Sequence, residues 1–315
     1  MIKVIFFATP AIAVKSLEYL YNSDKIEICA VVTQPDKPAG RGHKITASPV
    51  KRFALSKNLP VFQPKSIKKE PEIQKALKEF SPDFFVTFAF GQILSQDVLD
   101  IPKYATINLH ASLLPKYRGA NPIQRAIMNG DTETGICTMI TELGLDCGDI
   151  CLKEYVHITN TMTCEDLSYI ISEKSPELLE QTLIGIVEKT IIPTPQCEQD
   201  VCLANKLTKE ETLIDWRKSA DEIHNLVRGI YKSPSAYFMH NNKIIKVTET
   251  KVTEGKGTTG EFIAVDKNGI KIACGKDCIL LVKVKPEGKC EMSARDWYNG
   301  LNLKKIENFS VNTAM

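Results

Sequence analysis

The amino-acid sequence predicts an α/β protein, in which a mainly parallel sheet covered by helices on both faces is followed by a smaller antiparallel β-barrel domain. Three observations carry this expectation. Short apolar runs alternate with helical segments through the first part of the chain, and β-branched runs punctuated by turn residues take over beyond Tyr231. The length, 315 residues, is about twice that of a typical domain.

Ile2–Phe7 is an uninterrupted apolar run followed by Thr9 and Pro10, a cap and a residue pre-shaped for a first helical turn. The alternation continues with a strand at Ile26–Thr33, a helix opened by Ser48 and Pro49, a helical pattern over Glu70–Phe80 and a strand at Phe84–Ala89. A strand at Ala105–Leu109, a helix between Asn121-Pro122 and Gly130, and strands at Gly135–Ile140 and Ile150–Val156 follow. Fully apolar strands separated by helices are the pattern of βαβ units. A long amphipathic helix over Glu165–Lys189 closes a first domain spanning 1–190, and the Pro-containing stretch around Ile192–Ala204 reads as a linker, taken as 191–205. In the last domain, 206–315, a helix over Ser219–Tyr231 precedes short strands with turns at Asn241-Asn242, Asn268-Gly269 and Glu287-Gly288.

Composition bounds the function. Hydrophobic residues make up 43% and charged residues 25%, as in folded globular proteins. Lys+Arg 40 against Asp+Glu 38 leaves a net charge of +2, so a nucleic-acid partner has to be sought in local clusters. The ten cysteines include no C-x-x-C pair and fit buried free thiols in a reducing compartment, with no metal implied. No apolar run reaches the roughly 20 residues of a membrane span. No leader is visible at the start, so a soluble, cytoplasmic protein is expected. The glycine-rich signatures of dinucleotide and nucleoside-triphosphate sites do not occur.

Chemistry concentrates in Asn108-Leu109-His110-Ala111-Ser112-Leu113-Leu114-Pro115, where an apolar strand ends in polar groups. Side chains alternate along a strand, so Asn108 and His110 share a face, at the carboxyl end where open α/β sheets bind ligands. The knot Gly144-Leu145-Asp146-Cys147-Gly148-Asp149 has glycines that permit unusual backbone angles and could bring Asp146 beside His110. A second cluster follows the strand ending at Thr33: Lys37, Arg41, Lys44, Lys51 and Arg52 surround the Pro/Gly-punctuated segment Pro38-Ala39-Gly40-Arg41-Gly42. A basic loop of this kind suits phosphate contacts.

Asn108-x-His110, Ser112-Leu113-Leu114-Pro115, Tyr117-Arg118-Gly119, Pro122-Ile123 and Leu145-Asp146-x-Gly148 together resemble the folate-dependent formyltransferase family. The resemblance implies a Rossmann-like first domain and an OB-like second one. It assigns catalysis to Asn108, His110 and Asp146, and sets Ser112, Leu113, Leu114 and Pro115 against the folate. An apolar wall from Phe88, Phe90 and Ile93 would hold the pterin. The co-substrate implied is 10-formyltetrahydrofolate, with no metal.

The acceptor is decided elsewhere. Phe7-Ala8-Thr9-Pro10, the basic loop, Pro60-Val61-Phe62-Gln63-Pro64, Lys206–Glu211, Ile214-Asp215-Trp216 and Pro234-Ser235-Ala236-Tyr237 resemble the members of that family that formylate the amino group of initiator methionyl-tRNA. By that resemblance Arg41 is the chief tRNA contact, with Lys37 and Lys44 beside it. A monomer is expected. Four positions depart from the family's usual residues: Ala8, Phe90, Thr141 and Cys147. Ala8 matters most, because its methyl crowds a turn suited to Gly. Formylation of an amino sugar nucleotide by the same core, hydrolysis of the formyl-folate, and non-catalytic RNA binding are the alternatives. The last needs neither His110 nor Asp146, and hydrolysis needs no basic loop.

Overall fold

Strands that are apolar on both faces have to be covered above and below, and helices between them supply the cover. The structure, a computed structural model, describes residues 1–39, 44–232 and 234–301. In chain order the elements are β1 (Ile2–Ala8), α1 (Val14–Tyr21), β2 (Ile26–Val32), β3 (Lys37–Ala39), β4 (Lys44–Thr46), α2 (Pro49–Ser56), β5 (Val61–Phe62), α3 (Pro71–Glu79), β6 (Phe84–Phe88), α4 (Gln96–Leu99) and β7 (Ala105–His110). They continue with β8 (Arg118–Gly119), α5 (Pro122–Met128), β9 (Glu133–Ile140), β10 (Ile150–His157), α6 (Cys164–Val187) and β11 (Leu203–Ala204). The last part holds α7 (Ala220–Gly229), β12 (Tyr237–His240), β13 (Lys243–Thr253), β14 (Phe262–Asp266), β15 (Gly269–Ala273), β16 (Cys278–Pro286), β17 (Met292–Ser293) and α8 (Ala294–Asn299).

Contacts divide the chain into two units. Met1–Gly119, Thr134–His157 and Ser168–Ala204 form the first; Ala120–Glu133, Ile158–Leu167 and the chain from Asn205 onward form the second. Among the described residues the first unit is built on a seven-stranded sheet of order β10-β9-β7-β6-β1-β2-β5. β5, β2, β1, β6 and β7 are parallel, and β9 runs antiparallel to β7 with His110 opposite Cys137. β9 starts beside the carboxyl end of β7 and runs back along it, so this pair needs no crossover. The central strands are closed to water: Val4 through Ala8 and Phe84 through Val86 are fully buried.

The local signals hold unevenly. Ser48 caps α2 by accepting from Lys51 N, with Pro49 in the first turn. Thr9, by contrast, caps no helix. Pro10 precedes a short 3-10 turn with no side-chain cap, and the Thr9 hydroxyl instead accepts from Gln34 N at 3.3 Å. The described flanks of the basic loop pair antiparallel, with Lys37 opposite Thr46 and Ala39 opposite Lys44. The stretch 192–204 pairs with the first unit: Thr194 bridges Ile150, and β11 lies parallel to β8.

The second unit holds the antiparallel sheet β12-β13-β16-β15-β14, with β17 on β16. Asn241 and Asn242, at φ +49° and +59°, make the two-residue turn between β12 and β13. The core is aromatic, with Phe238 meeting Trp216 edge-on at 5.7 Å and Trp297 at 5.8 Å. Ser219 and Glu222 form a reciprocal capping box on α7. Cys29, Cys137, Cys164, Cys274 and Cys278 are buried, whereas Cys197, Cys202 and Cys290 are exposed. Among the described residues no helix is long and apolar enough to cross a membrane, and no three metal-ligating side chains gather.

Candidate active site

The parallel register of β6 and β7 sets Thr87 beside Asn108. The Thr87 hydroxyl donates to Asn108 Oδ1 at 2.9 Å, which turns the amide so that its nitrogen faces away. That Nδ2 donates to Asp146 Oδ1 at 3.4 Å, a long contact that another acceptor can replace. Two residues on, His110 is 6% exposed and its Nε2 lies 2.8 Å from the carbonyl oxygen of Tyr117. A carbonyl only accepts, so Nε2 carries the hydrogen. Nδ1 therefore faces Asp146 Oδ2, at 3.6 Å, too far for a hydrogen bond and near enough for the charge to act on the ring.

Asp146 reaches this position through its backbone. It sits at φ +48°, a left-handed conformation that costs a residue with a Cβ, so its surroundings have to hold it. Gly119 N donates to Asp146 Oδ2 at 2.9 Å. Gly119 has φ +122°, and a Cβ there would stand 2.8 Å from the Ala204 carbonyl oxygen, so only glycine presents this N–H. Gly148 lies so close to the Ile140 carbonyl that a Cβ would stand 2.0 Å from it, which folds the loop back onto β9.

The sequence-predicted trio is thus brought together around one point. The loop after it is braced. Ser112 is fully buried and its hydroxyl donates to Lys116 O at 2.6 Å. Leu114 is buried, its N–H directed to Cys137 Sγ and its carbonyl accepting from Lys153 Nζ at 2.7 Å. Burial pushes the Cys137 thiol up to about 11, so it stays a neutral thiol. Leu113 and Pro115 are half-buried, and the Leu114–Pro115 peptide is cis. Phe88 is 2% exposed and Phe90 4%, with the Phe90 ring edge-on to Phe7 at 5.3 Å in an apolar cluster. Of the expected wall, Ile93 is the open member, at 77% exposure.

Around the basic segment, Lys37 is exposed and Lys44 lies in β4, while Arg41 falls outside the described residues. Lys51 is engaged at its base: Nζ donates to Asp36 Oδ2 and to Gln63 Oε1, both at 2.6 Å. Gln63 Nε2 donates in turn to Asp36 Oδ1 at 2.8 Å. The hydrogen bonds from Lys51 and Gln63 hold the Asp36 carboxyl below its ordinary range.

Sequence reasoning missed four contributors. Thr87 could have been found from the parallel pairing of two consecutive strands. The Tyr117 carbonyl and the Gly119 N–H are backbone groups whose direction no side chain announces. Gln196 lay inside a stretch read as a linker, yet its Nε2 donates to Asp146 O at 2.9 Å and Gly148 O at 2.8 Å.

Comparison with known proteins places this geometry. A family model described as formyl transferase matches residues 2–183, and one described as the formyl transferase C-terminal domain matches residues 206–302. A methionyl-tRNA formyltransferase of Clostridium perfringens is 46% identical over 304 residues, covering 96% of this chain and 98% of that protein. Among solved structures, an N-formyltransferase from Helicobacter canadensis in complex with folinic acid and dTDP-3-aminofucose superposes with a TM-score of 0.62 at 23% identity, over 89% of this chain and 99% of that one. Methionyl-tRNA formyltransferase from Clostridium thermocellum gives a TM-score of 0.55 at 16% identity, over 81% of this chain and 96% of that one. At those identities the two structures speak for the fold. Both halves of the chain match their family models, and a relative 46% identical aligns over nearly all of it, so the chain belongs to the methionyl-tRNA formyltransferase family.

Proposed function

We propose that this protein transfers the formyl group of 10-formyltetrahydrofolate to the free amino group of the methionyl moiety of initiator methionyl-tRNA, giving N-formylmethionyl-tRNA for translation initiation. The observation that carries the proposal is the convergence of the Asn108 amide, the His110 imidazole and the Asp146 carboxylate, with Nδ1 and Oδ2 3.6 Å apart. The relatives named for this activity support the choice of acceptor.

In the reaction the acceptor nitrogen bonds to the formyl carbon, the bond from that carbon to the folate nitrogen breaks, and the proton that the amine gives up ends on the departing folate nitrogen. Each event has a group to serve it. Asn108 Nδ2, turned by Thr87, donates to the oxygen that gains charge, a contact whose removal elsewhere costs about 2.7–4 kcal/mol. His110, with its hydrogen on Nε2, offers Nδ1 to the amine's proton, and Asp146 stabilises the charged ring that results. The folate side falls to Ser112, Leu113, Leu114 and Pro115, with Phe88 and Phe90 as apolar support; Leu113 and Pro115 are the accessible members. Lys37, Arg41 and Lys44 of the basic segment contact tRNA phosphates. The protein acts as a monomer in the cytoplasm.

The test is to incubate the protein with formyl-folate and, separately, methionyl-tRNA or an amino sugar nucleotide, and to identify products by mass. Formylated methionyl-tRNA is the expected product. Formyl transfer to the sugar alone, or release of formate in place of transfer, would overturn the assignment.

A further inference from the structure

The segment Thr194–Ala204 reaches both halves of the site. Thr194 exchanges backbone hydrogen bonds with Ile150, and two residues later the Gln196 Nε2 gives both its hydrogens to one loop, at Asp146 O (2.9 Å) and Gly148 O (2.8 Å). Its Oε1 accepts from Arg118 Nε at 3.0 Å, and Arg118, 6% exposed, pairs with Glu198 at 2.7 Å. Further along, Cys202 O accepts from Arg118 N at 3.0 Å and Cys202 Sγ from Tyr117 N at 3.2 Å, next to the Tyr117 carbonyl that fixes His110.

Every donor and acceptor of the Gln196 amide is therefore used. One of the two carbonyls it ties belongs to the residue held at φ +48° and the other lies two residues on, so the tie supports a conformation that relaxes when its support goes. We propose that Gln196 is a positioning residue for formyl transfer: it pins the main chain at Asp146 and two residues after it so that the carboxylate stays against His110 Nδ1. This rests on the formyl-transfer reading for its kinetic readout only. A displacement of about 1 Å at a reacting group can cost about 10²-fold in rate, so the staple acts on turnover more than on binding.

The experiment compares Gln196→Met and Gln196→Glu with the parent. Glu keeps the size and still accepts from Arg118, but it points an oxygen at the two carbonyls. Both variants are expected to lose about tenfold or more in kcat while KM for each substrate stays within about twofold. In an Asp146→Asn background Gln196→Met is expected to cost nothing further, because its route runs through Asp146. Amide hydrogen exchange over residues 142–149 is expected to rise in Gln196→Met whether or not turnover is measured. A kcat within about twofold of the parent, a loss that repeats in full on Asp146→Asn, or unchanged exchange in that loop would each overturn the proposal. A parent that leaves methionyl-tRNA unformylated would count against the proposed function alone, since the exchange measurement still decides the role of Gln196.

Discussion

A hydroxyl one strand away from the chemistry decides which end of an amide faces it. Thr87 Oγ1 occupies Asn108 Oδ1, so the N–H end is left for the site. Thr87→Val keeps the β-branched shape and removes the donor, which frees the amide to turn. The expected result is a fall in kcat of about tenfold, with stability lowered by about 1 kcal/mol, the usual net worth of one hydrogen bond. Steady-state kinetics and urea unfolding check the two parts. At this scale the sequence was informative about side chains and silent about backbone. Strand alternation placed Asn108 and His110 on one face, and the glycines near Asp146 marked a segment open to unusual backbone angles without showing that Asp146 itself turns left-handed. The Tyr117 carbonyl, which sets the ring's hydrogen, has no residue-type signature, and Gly119 marks a tight backbone position without naming the carboxylate that its N–H holds.

Among the elements, the basic segment separates two kinds of lysine and arginine that look alike in sequence. Lys51 stands in the same cluster as Arg41, yet its ammonium is engaged with Asp36 and Gln63 at the segment's base. Arg41→Ala should weaken use of methionyl-tRNA and reduce the slope of log(kcat/KM) against log[salt] by about 0.7–0.9, the loss of one phosphate contact. Lys51→Met should leave that slope unchanged and lower the melting temperature, because Asp36 loses its cationic partner and keeps only Gln63. A parallel change of slope in both variants would place Lys51 on the RNA. The helix and strand patterns were legible wherever apolar periodicity ran long, as in β1, β6 and α6. Thr9 was misread because the same residue type that caps helices can also accept from a neighbouring loop, here Gln34. The stretch 192–204 looked like a linker because its pairing partners, Ile150 and β8, are distant in sequence.

For the molecule as a whole, the two units offer separate probes, because the chain's 2 tryptophans, Trp216 and Trp297, both lie in the second unit's core. In that unit His224 Nε2 donates to Asn160 O at 2.9 Å, and Nδ1 of the neutral ring accepts from Thr250 Oγ1 at 2.8 Å, whereas a charged ring would donate to that hydroxyl. Burial holds its pKa below the ordinary histidine value. The unfolded chain then binds a proton that the folded unit refuses, so stability is full above about pH 6.5, falls as pH drops below it, and levels off once the folded ring protonates. Tryptophan fluorescence in urea across this range should report that decline, and His224→Gln should flatten it. The α/β-then-antiparallel architecture could be read from alternation and turn chemistry alone. The affiliation of α5 could not: it packs on α7, where a Cβ on Gly229 would stand 2.6 Å from Met128 Cγ, and amphipathic spacing does not name a helix's partner.

The central claim is that Asn108, His110 and Asp146 act as one unit on the transferred formyl group. Single-turnover formylation of methionyl-tRNA at saturating formyl-folate isolates the chemical step for the parent, for His110→Ala and Asp146→Asn, and for the double variant. Each single change should slow that step by about 10² or more, and the double variant should be little slower than the worse single one. Single-turnover rates within a few-fold of the parent, or losses that multiply in full, would contradict it.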